Sequence, residues 1–222
     1  MASEKQIGID PLSVCSAPIE ILCGETVLGH ATGFFFRRGD CIHLISNWHV
    51  FSGRDPRTGQ PKDQKTYLIL DTLKVQYHPV SDLKMQIELT IRLISNEGSS
   101  IWLQHKKAGQ RIDVGAVTLI PPNEESAKAL PFAINDGARV DDFWVMTGSD
   151  AFVLGYPLGI KKTGLLPVWK RASIATEIKN GRTVCAGATR CSSVFARSHI
   201  TPGRRRHLGE SRTSGDRDRE CR

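Results

Sequence analysis

The feature that most constrains the fold is a strict alternation of apolar and polar residues in the segment QIELTIRLI at 86–94. Isoleucine or leucine occupies every second position from 87 to 93, with Glu88, Thr90 and Arg92 between them. A period of two is typical of a strand with one buried face, because successive side chains point to opposite faces of a sheet. The sequence therefore predicts a half-buried strand in this segment.

Short apolar segments recur along the chain up to about residue 175, separated by turn-rich stretches such as SGRDPRTGQP and PPNEES. A short helix is predicted after Asn123, where EESAKAL follows a residue suited to capping. Many short strands with Gly and Pro between them predict an all-β barrel or sandwich. Further strands are expected at 20–23, 32–37, 42–48, 67–76, 101–105, 114–120, 143–147, 151–154 and 168–175.

The composition is that of a globular protein, with 40% hydrophobic and 24% charged residues among 222. This length can bury a core as one large domain or as two small ones. No apolar run approaches the roughly 20 residues that a membrane-spanning helix needs. The first residues, MASEKQIGIDPLSV, lack a basic segment followed by an apolar one, so we expect no secretory signal and a cytoplasmic location.

The net charge of +7 lies entirely in the last part of the chain. Residues 178–222 contain 11 Lys/Arg and 4 Asp/Glu, whereas residues 1–177 contain 19 of each kind. The basicity therefore belongs to a tail and says nothing about the body of the chain. The tail has no interleaved aromatic residues on which bases could stack, so nucleic-acid binding is not expected, and association through the tail alone is the weaker alternative.

The character of the sequence changes after residue 176, and the segment 201–222 is rich in Arg, Gly and Ser. Such a segment buries too little apolar surface to offset the entropy of ordering, so we expect it to be disordered. It could be a natural basic tail that touches an acidic partner. It could also be the out-of-frame translation of a GC-rich gene, which we favour because the change falls inside what should be a folded domain.

Two residues suggest nucleophilic catalysis. His49 follows the apolar run CIHLIS and ends the motif Asn47-Trp48-His49, and Asp113 begins the segment DVGAV. A serine hydroxyl is a weak nucleophile at neutral pH, and it needs a base together with a carboxylate that orients the base. The chain order of His, Asp and then a serine is that of chymotrypsin, and differs from that of subtilisin and the α/β-hydrolases. The other histidines, His43, His78 and His105, are interpreted as structural.

These motifs resemble those of the bacterial trypsin-like (chymotrypsin-fold) serine peptidases, in particular the intracellular ones. The resemblance rests on ATGFFF (31–36), LISNWHV (44–50), DVGAV (113–117), GYPLG (155–159) and WKRASIATE (169–177). It implies an all-β, chymotrypsin-like double β-barrel with the triad between the barrels, and hydrolysis of peptide bonds through an acyl-enzyme. Extracellular relatives often carry a cysteine after the histidine, but Val50 stands there, so we expect Cys41 and the other cysteines to be free thiols.

The resemblance also implies a nucleophile in a segment of the form Gly-x-Ser-Gly-[Ser/Ala]-Pro. Here GATR (187–190) is followed by CSSVF (191–195), so that the segment is shortened and both glycines are replaced. Ser192 is the nearest match to the nucleophile and Ser193 the next. The glycine N–H beside the nucleophile normally forms half of the oxyanion hole, whose turn uses the conformational freedom of glycine.

The resulting prediction divides the chain into a first barrel at 11–120, a linker at 121–137, a second and incomplete barrel at 138–200, and a basic disordered tail at 201–222. The predicted function is that of a serine-type endopeptidase acting on a peptide or protein, with His49, Asp113 and Ser192 as its catalytic residues. Activity could be lost through the altered nucleophile segment. The alternative is then a non-catalytic peptidase-like remnant that binds a peptide or a partner protein. No metal, organic cofactor or membrane is expected to take part.

Overall fold

A computed structural model describes residues 8–62, 70–120, 129–136, 147–157 and 165–175, together with the backbones of two short strands at 185–186 and 194–195. The regular structure of these residues is nearly all β. Its strands are β1 (Ser16–Cys23), β2 (Thr26–Arg38), β3 (Cys41–Ser46), β4 (Thr72–Tyr77), β5 (Ile87–Arg92), β6 (Leu103–Gln104), β7 (Gly115–Leu119), β8 (Asp150–Gly155), β9 (Val168–Ile174), β10 (Cys185–Ala186) and β11 (Val194–Phe195). Its helices are α1 (Pro11–Cys15), α2 (Trp48–Ser52) and a single 3₁₀ turn (Gly109–Arg111). None of the described helices has the length and apolar character to cross a membrane.

The alternation at 86–94 produces the expected strand, β5. Ile91 and Leu93 are buried, whereas Glu88, Thr90 and Arg92 are exposed. The strand pairs antiparallel with β4 over its whole length. The prediction of a half-buried strand is therefore confirmed.

Seven strands form one antiparallel sheet in the order β5-β4-β1-β2-β3-β7-β6. Its two ends are linked through the segment between β5 and β6, where Ile94 bridges Ser100 and the Ile101 N–H donates to the Leu93 carbonyl at 3.0 Å. The sheet consequently curls around a single core. The buried core residues come from strands at both ends of the sheet and include Ile19, Phe35, Leu44, Leu73, Val75, Ile91 and Val117.

A second antiparallel sheet has the order β10-β9-β8-β11. In chain order the four strands of this sheet are β8, β9, β10 and β11, and β8 lies between β9 and β11. The first sheet contains the same arrangement, in which β1 lies between β2 and β4 and β3 follows β2. The spatial order 4-1-2-3 is that of a Greek key. Together with the curled first sheet and the few, short helices among the described residues, the two Greek keys match the predicted all-β, chymotrypsin-like fold class. The structure describes four strands of the second sheet, and the incompleteness of the second barrel stays a prediction.

Tyr156, directly after β8, joins the two sheets. Its backbone N–H donates to Thr32 Oγ1 at 2.9 Å, and its hydroxyl donates to the Leu165 carbonyl at 2.6 Å, with the Ser16 carbonyl 3.3 Å away. Burial raises the pKa of the Tyr156 hydroxyl to about 12. The GYPLG motif therefore contributes a structural anchor through the residues described, 155–157.

Several boundaries differ from those predicted. The strand predicted at 42–48 ends at Ser46, and α1, which the sequence reasoning missed, begins at Pro11 behind an Asp10 cap. Asp10 Oδ1 accepts the Leu12 N–H at 3.0 Å, and Pro at the first helical position is favoured because its missing N–H would be unpaired there. Most of the predicted helix after Asn123, most of the strand at 143–147 and the whole tail at 201–222 lie outside the described residues. The domain boundaries stay predictions.

A doubly hydrogen-bonded ion pair fastens the segment at 129–136 to the end of β2. Arg37 Nε and Nη2 lie 2.6 and 2.9 Å from the two carboxylate oxygens of Asp136, and the Asn135 side chain exchanges hydrogen bonds with the Arg37 backbone. The Arg37 guanidinium, as a hydrogen-bond donor, lowers the pKa of Asp136 below its usual value. The segment predicted to be part of a linker is therefore fixed to the first sheet.

The lowered pKa of Asp136 leads to a pH-dependent contribution to stability. A carboxyl whose pKa is lower in the folded state stabilises the fold above its unfolded-state pKa, and this stabilisation is lost as the pH falls through the folded-state pKa. We expect Asp136→Asn to lower the free energy of unfolding at pH 7 by about 0.5–1 kcal/mol, since the pair is partly screened by solvent. Urea titrations of both proteins at neutral and acidic pH check this. A difference that stays constant from pH 7 to the acid limit would contradict it.

Candidate active site

The register of β3 and β7 brings the two predicted catalytic residues together. The strands are antiparallel, and their last pair joins Ser46 to Gly115. The chain leaving β3 therefore runs beside the chain entering β7. This places His49, three residues after Ser46, against Asp113, two residues before Gly115.

His49 lies in the single turn of α2 rather than at the end of a strand, which corrects the predicted strand at 42–48. Asn47 is the N-cap residue, and Gly53 ends the helix with φ 68° while its N–H donates to the His49 carbonyl at 3.1 Å. A helix of five residues is not stable by itself, so its position depends on packing. Trp48, Val50 and Phe51 are buried, whereas 26% of the His49 side chain is exposed.

An aromatic cluster holds α2 against the sheet. The Phe51 ring stacks on Trp102 with the centroids 5.8 Å apart, and Trp48 meets the same indole edge to face at 6.1 Å. Trp48 Nε1 donates to Gln104 Oε1 at 2.7 Å. A Cβ at Gly115 would lie 2.6 Å from the Phe51 ring, so a residue without a side chain lets the ring pack directly on β7.

The imidazole of His49 is paired with the carboxylate of Asp113. His49 Nδ1 lies 2.8 Å from Asp113 Oδ2 and 3.0 Å from Oδ1, and the His49 backbone N–H donates to Oδ1 at 3.0 Å. An ionised carboxylate only accepts hydrogen bonds, so the neutral imidazole must carry its proton on Nδ1. Nε2 is then the basic nitrogen. This is the tautomer that a general base facing a serine requires.

Asn47 is a third member of this cluster that the sequence reasoning did not assign. Its Nδ2 donates to Asp113 Oδ2 and to the Asp113 backbone carbonyl, both at 3.1 Å. The only signal in the sequence was an asparagine two residues before the histidine. Its contact with Asp113 spans 66 positions and depends on the register of β3 and β7.

The predicted nucleophile, Ser192, lies outside the described residues, as does Ser193. A short strand that was not predicted, β11, follows the two serines, and its Val194 and Phe195 pair with Val153 and Phe152 of β8. The structure thus describes the pairing of the strand that directly follows the two serines in the chain. It brings together His49 and Asp113 and leaves the assignment of the nucleophile a prediction.

The three histidines that were interpreted as structural each have a hydrogen-bonding neighbour outside the His49–Asp113 pair. His43 Nδ1 lies 3.1 Å from Thr118 Oγ1, and His78 Nδ1 lies 2.8 Å from the Met85 carbonyl. His105 Nδ1 accepts the Ala108 N–H at 2.9 Å. In the described part of the chain, no three His, Cys, Asp or Glu side chains are grouped as they would be to hold a metal ion.

Three cysteines with described side chains are free thiols. Cys15 is buried, Cys23 is half-buried and Cys41 is exposed. Burial and the nearby carboxylates of Asp136 and Asp10 raise the pKa of Cys15 to about 11, so this thiol stays protonated and inert at neutral pH.

Comparison with known proteins gives similarity in structure only. No family model matches the chain, and no curated protein matches it in sequence. Among solved structures, a thermostable serine protease from an extremophilic microorganism superposes with a TM-score of 0.44 at 9% identity, over 86% of this chain and 82% of the other. Because a likeness of this size carries no weight by itself, the chymotrypsin-like fold class rests on the strand order of the chain's own two sheets.

Proposed function

We propose that the chain is a serine-type endopeptidase that hydrolyses peptide bonds through an acyl-enzyme. The observation that carries the proposal is the His49–Asp113 pair, in which Nδ1 and Oδ2 are 2.8 Å apart at the end of two paired strands. A histidine held by a carboxylate, with its second nitrogen free to accept a proton, is the base of a Ser-His-Asp triad. The His49 side chain is partly exposed, so a substrate can reach it.

Each residue has a defined role in the proposed mechanism. Ser192 Oγ attacks the scissile carbonyl while His49 Nε2 removes its proton, and the imidazolium is stabilised by Asp113. His49 then donates this proton to the leaving amine, which breaks the peptide bond and leaves an ester on the serine. Water, deprotonated by His49, attacks the ester carbonyl. The proton then passes from His49 to the serine oxygen as the acyl–oxygen bond breaks, which releases the carboxylic acid product and restores the free serine.

The second candidate function is a non-catalytic, peptidase-like protein that binds a peptide or a partner. The observation in its favour is the sequence CSS at 191–193, which has no glycine beside the nucleophile. Loss of one oxyanion-hole donor lowers kcat on the order of 10²–10³-fold. A weakened peptidase would therefore still cleave slowly, and its cleavage would depend on His49 and on one of the two serines. A binding protein would show no cleavage that depends on these residues.

Cleavage of a denatured protein substrate distinguishes the two. Mass spectrometry of new peptide termini is expected to show cleavage that is lost in His49→Ala and in either Ser192→Ala or Ser193→Ala. The matched control is His30→Ala, which removes an exposed histidine on β2 and should leave the cleavage products unchanged. Cleavage that persists at the same rate in His49→Ala would come from another peptidase in the preparation and would overturn the proposal.

A further inference from the structure

We propose that Asn47 is a positioning residue that fixes the orientation of the Asp113 carboxylate and, through it, the tautomer of His49. The inference deepens the proposed peptidase function and rests on it for its consequence in catalysis. Whether the Asn47 amide orients the Asp113 carboxylate can be tested without measuring catalysis.

The Asn47 amide reaches Asp113 at two points. Its Nδ2 has two N–H groups, and the two acceptors at 3.1 Å are Asp113 Oδ2 and the Asp113 backbone carbonyl. The backbone contact fixes the amide relative to the main chain of residue 113. The second contact then fixes the carboxylate relative to that same main chain.

The three donors around Asp113 determine the rotation of its carboxylate. Oδ1 accepts the His49 backbone N–H at 3.0 Å, and Oδ2 accepts from Asn47 Nδ2 and from His49 Nδ1. One donor on each oxygen is thus independent of the imidazole. These two donors can hold the carboxylate without the imidazole, in the orientation in which Oδ2 faces His49 Nδ1.

The Asn47 side chain does not cap α2, although Asn47 is the N-cap residue. At an N-cap position the side-chain oxygen usually accepts an N–H from the first turn, but the Asn47 side chain makes no capping hydrogen bond. Its Oδ1 is buried and has no hydrogen-bond partner among the described residues. Such an acceptor is rare in folded proteins, and turning the amide over would face Oδ1 toward two oxygens of Asp113. The amide is therefore oriented by Asp113 and not by α2.

Two substitutions separate positioning from helix capping. Serine and aspartate cap helices about as well as asparagine, so Asn47→Ser and Asn47→Asp preserve the capping propensity of the position. The serine hydroxyl is too short to replace Nδ2, and the aspartate side chain keeps the shape but has no donor and adds a negative charge. If Asn47 only caps α2, both variants should behave like the wild type.

The test is nitrogen and proton NMR of the protein with labelled histidine, in which the His49→Ala spectrum assigns the His49 ring. In the wild type we expect the Nδ1–H tautomer and a slowly exchanging, low-field Nδ1 proton. Both variants should broaden or lose this proton and show a mixture of tautomers. Asn96→Asp, in an exposed turn, controls for the added charge and should leave the His49 signals unchanged.

Activity gives the second measurement, as the rate of labelling by a fluorophosphonate. Removal of a group that orients a metal-binding side chain typically costs about 10–100-fold in activity, and we expect a loss of similar size in the labelling rate of Asn47→Ser. Unchanged His49 signals in both variants would overturn the inference even if the wild type cleaves peptides. Altered signals in a protein that neither cleaves nor labels would support the inference and overturn the proposed function.

Discussion

Replacement of Asp113 by asparagine is expected to lower the rate of serine labelling and of peptide cleavage by about 10⁴-fold, with the fold intact. The asparagine Nδ2 would face His49 Nδ1, now 2.8 Å from Asp113 Oδ2, and would donate a hydrogen bond to it. The imidazole would then carry its proton on Nε2, where it cannot accept one from a serine. The same amide would also face the Nδ2 group of Asn47, so two donors would meet.

The rate of fluorophosphonate labelling, followed by intact mass, measures this effect directly. Asp150→Asn is the matched control, because Asp150 lies on β8 and pairs with Arg171, away from the His49–Asp113 pair. It should label at the wild-type rate. A rate for Asp113→Asn within a factor of ten of the wild type would show that the carboxylate does not set the tautomer of His49.

Phe51→Ala is expected to lower the free energy of unfolding by about 3–5 kcal/mol, which is the usual cost of removing a buried aromatic ring. Phe51 is 2% exposed, stacks on Trp102 and packs directly on the backbone of β7 at Gly115. The five-residue α2 has little stability of its own, so the loss of this ring removes much of what holds the helix. The orientation of His49 should become heterogeneous at the same time.

Urea unfolding of Phe51→Ala is best compared with that of Phe36→Ala. Phe36 is also a phenylalanine of the first sheet, but it is 40% exposed on β2. Its replacement should cost much less, because a surface substitution usually changes stability by about 0.5 kcal/mol or less. Equal losses in the two variants would mean that the aromatic cluster does not hold α2 in place.

The sequence predicted those strands in which the pattern of apolar and polar residues agrees with the burial of the same residues in the folded protein. The alternation at 86–94 became β5 because one face of that strand meets the core and the other meets solvent. The strand at 114–120 was predicted within a residue of β7, and the pairing of His49 with Asp113 was expected from their motifs. In these cases the local signal and the tertiary packing agree.

The remaining features depend on contacts between distant segments. A single helical turn such as α2 is too short to show a helical period, and it exists because Trp48 and Phe51 pack on Trp102. The contact of Asn47 with Asp113 requires the register that pairs Ser46 with Gly115. By contrast, α1 could have been predicted, since Asp10 followed by proline is a recognised start of a helix.

The measurement that tests the central claim most directly is the intact mass of the protein after treatment with a fluorophosphonate, beside the His49→Ala, Ser192→Ala and Ser193→Ala variants. A His49-activated serine displaces fluoride from phosphorus and keeps the phosphonyl group as a stable ester. The account predicts one adduct per chain, absent in His49→Ala and in one of the two serine variants. No adduct on protein that circular dichroism shows to be folded would contradict a working triad in this chain.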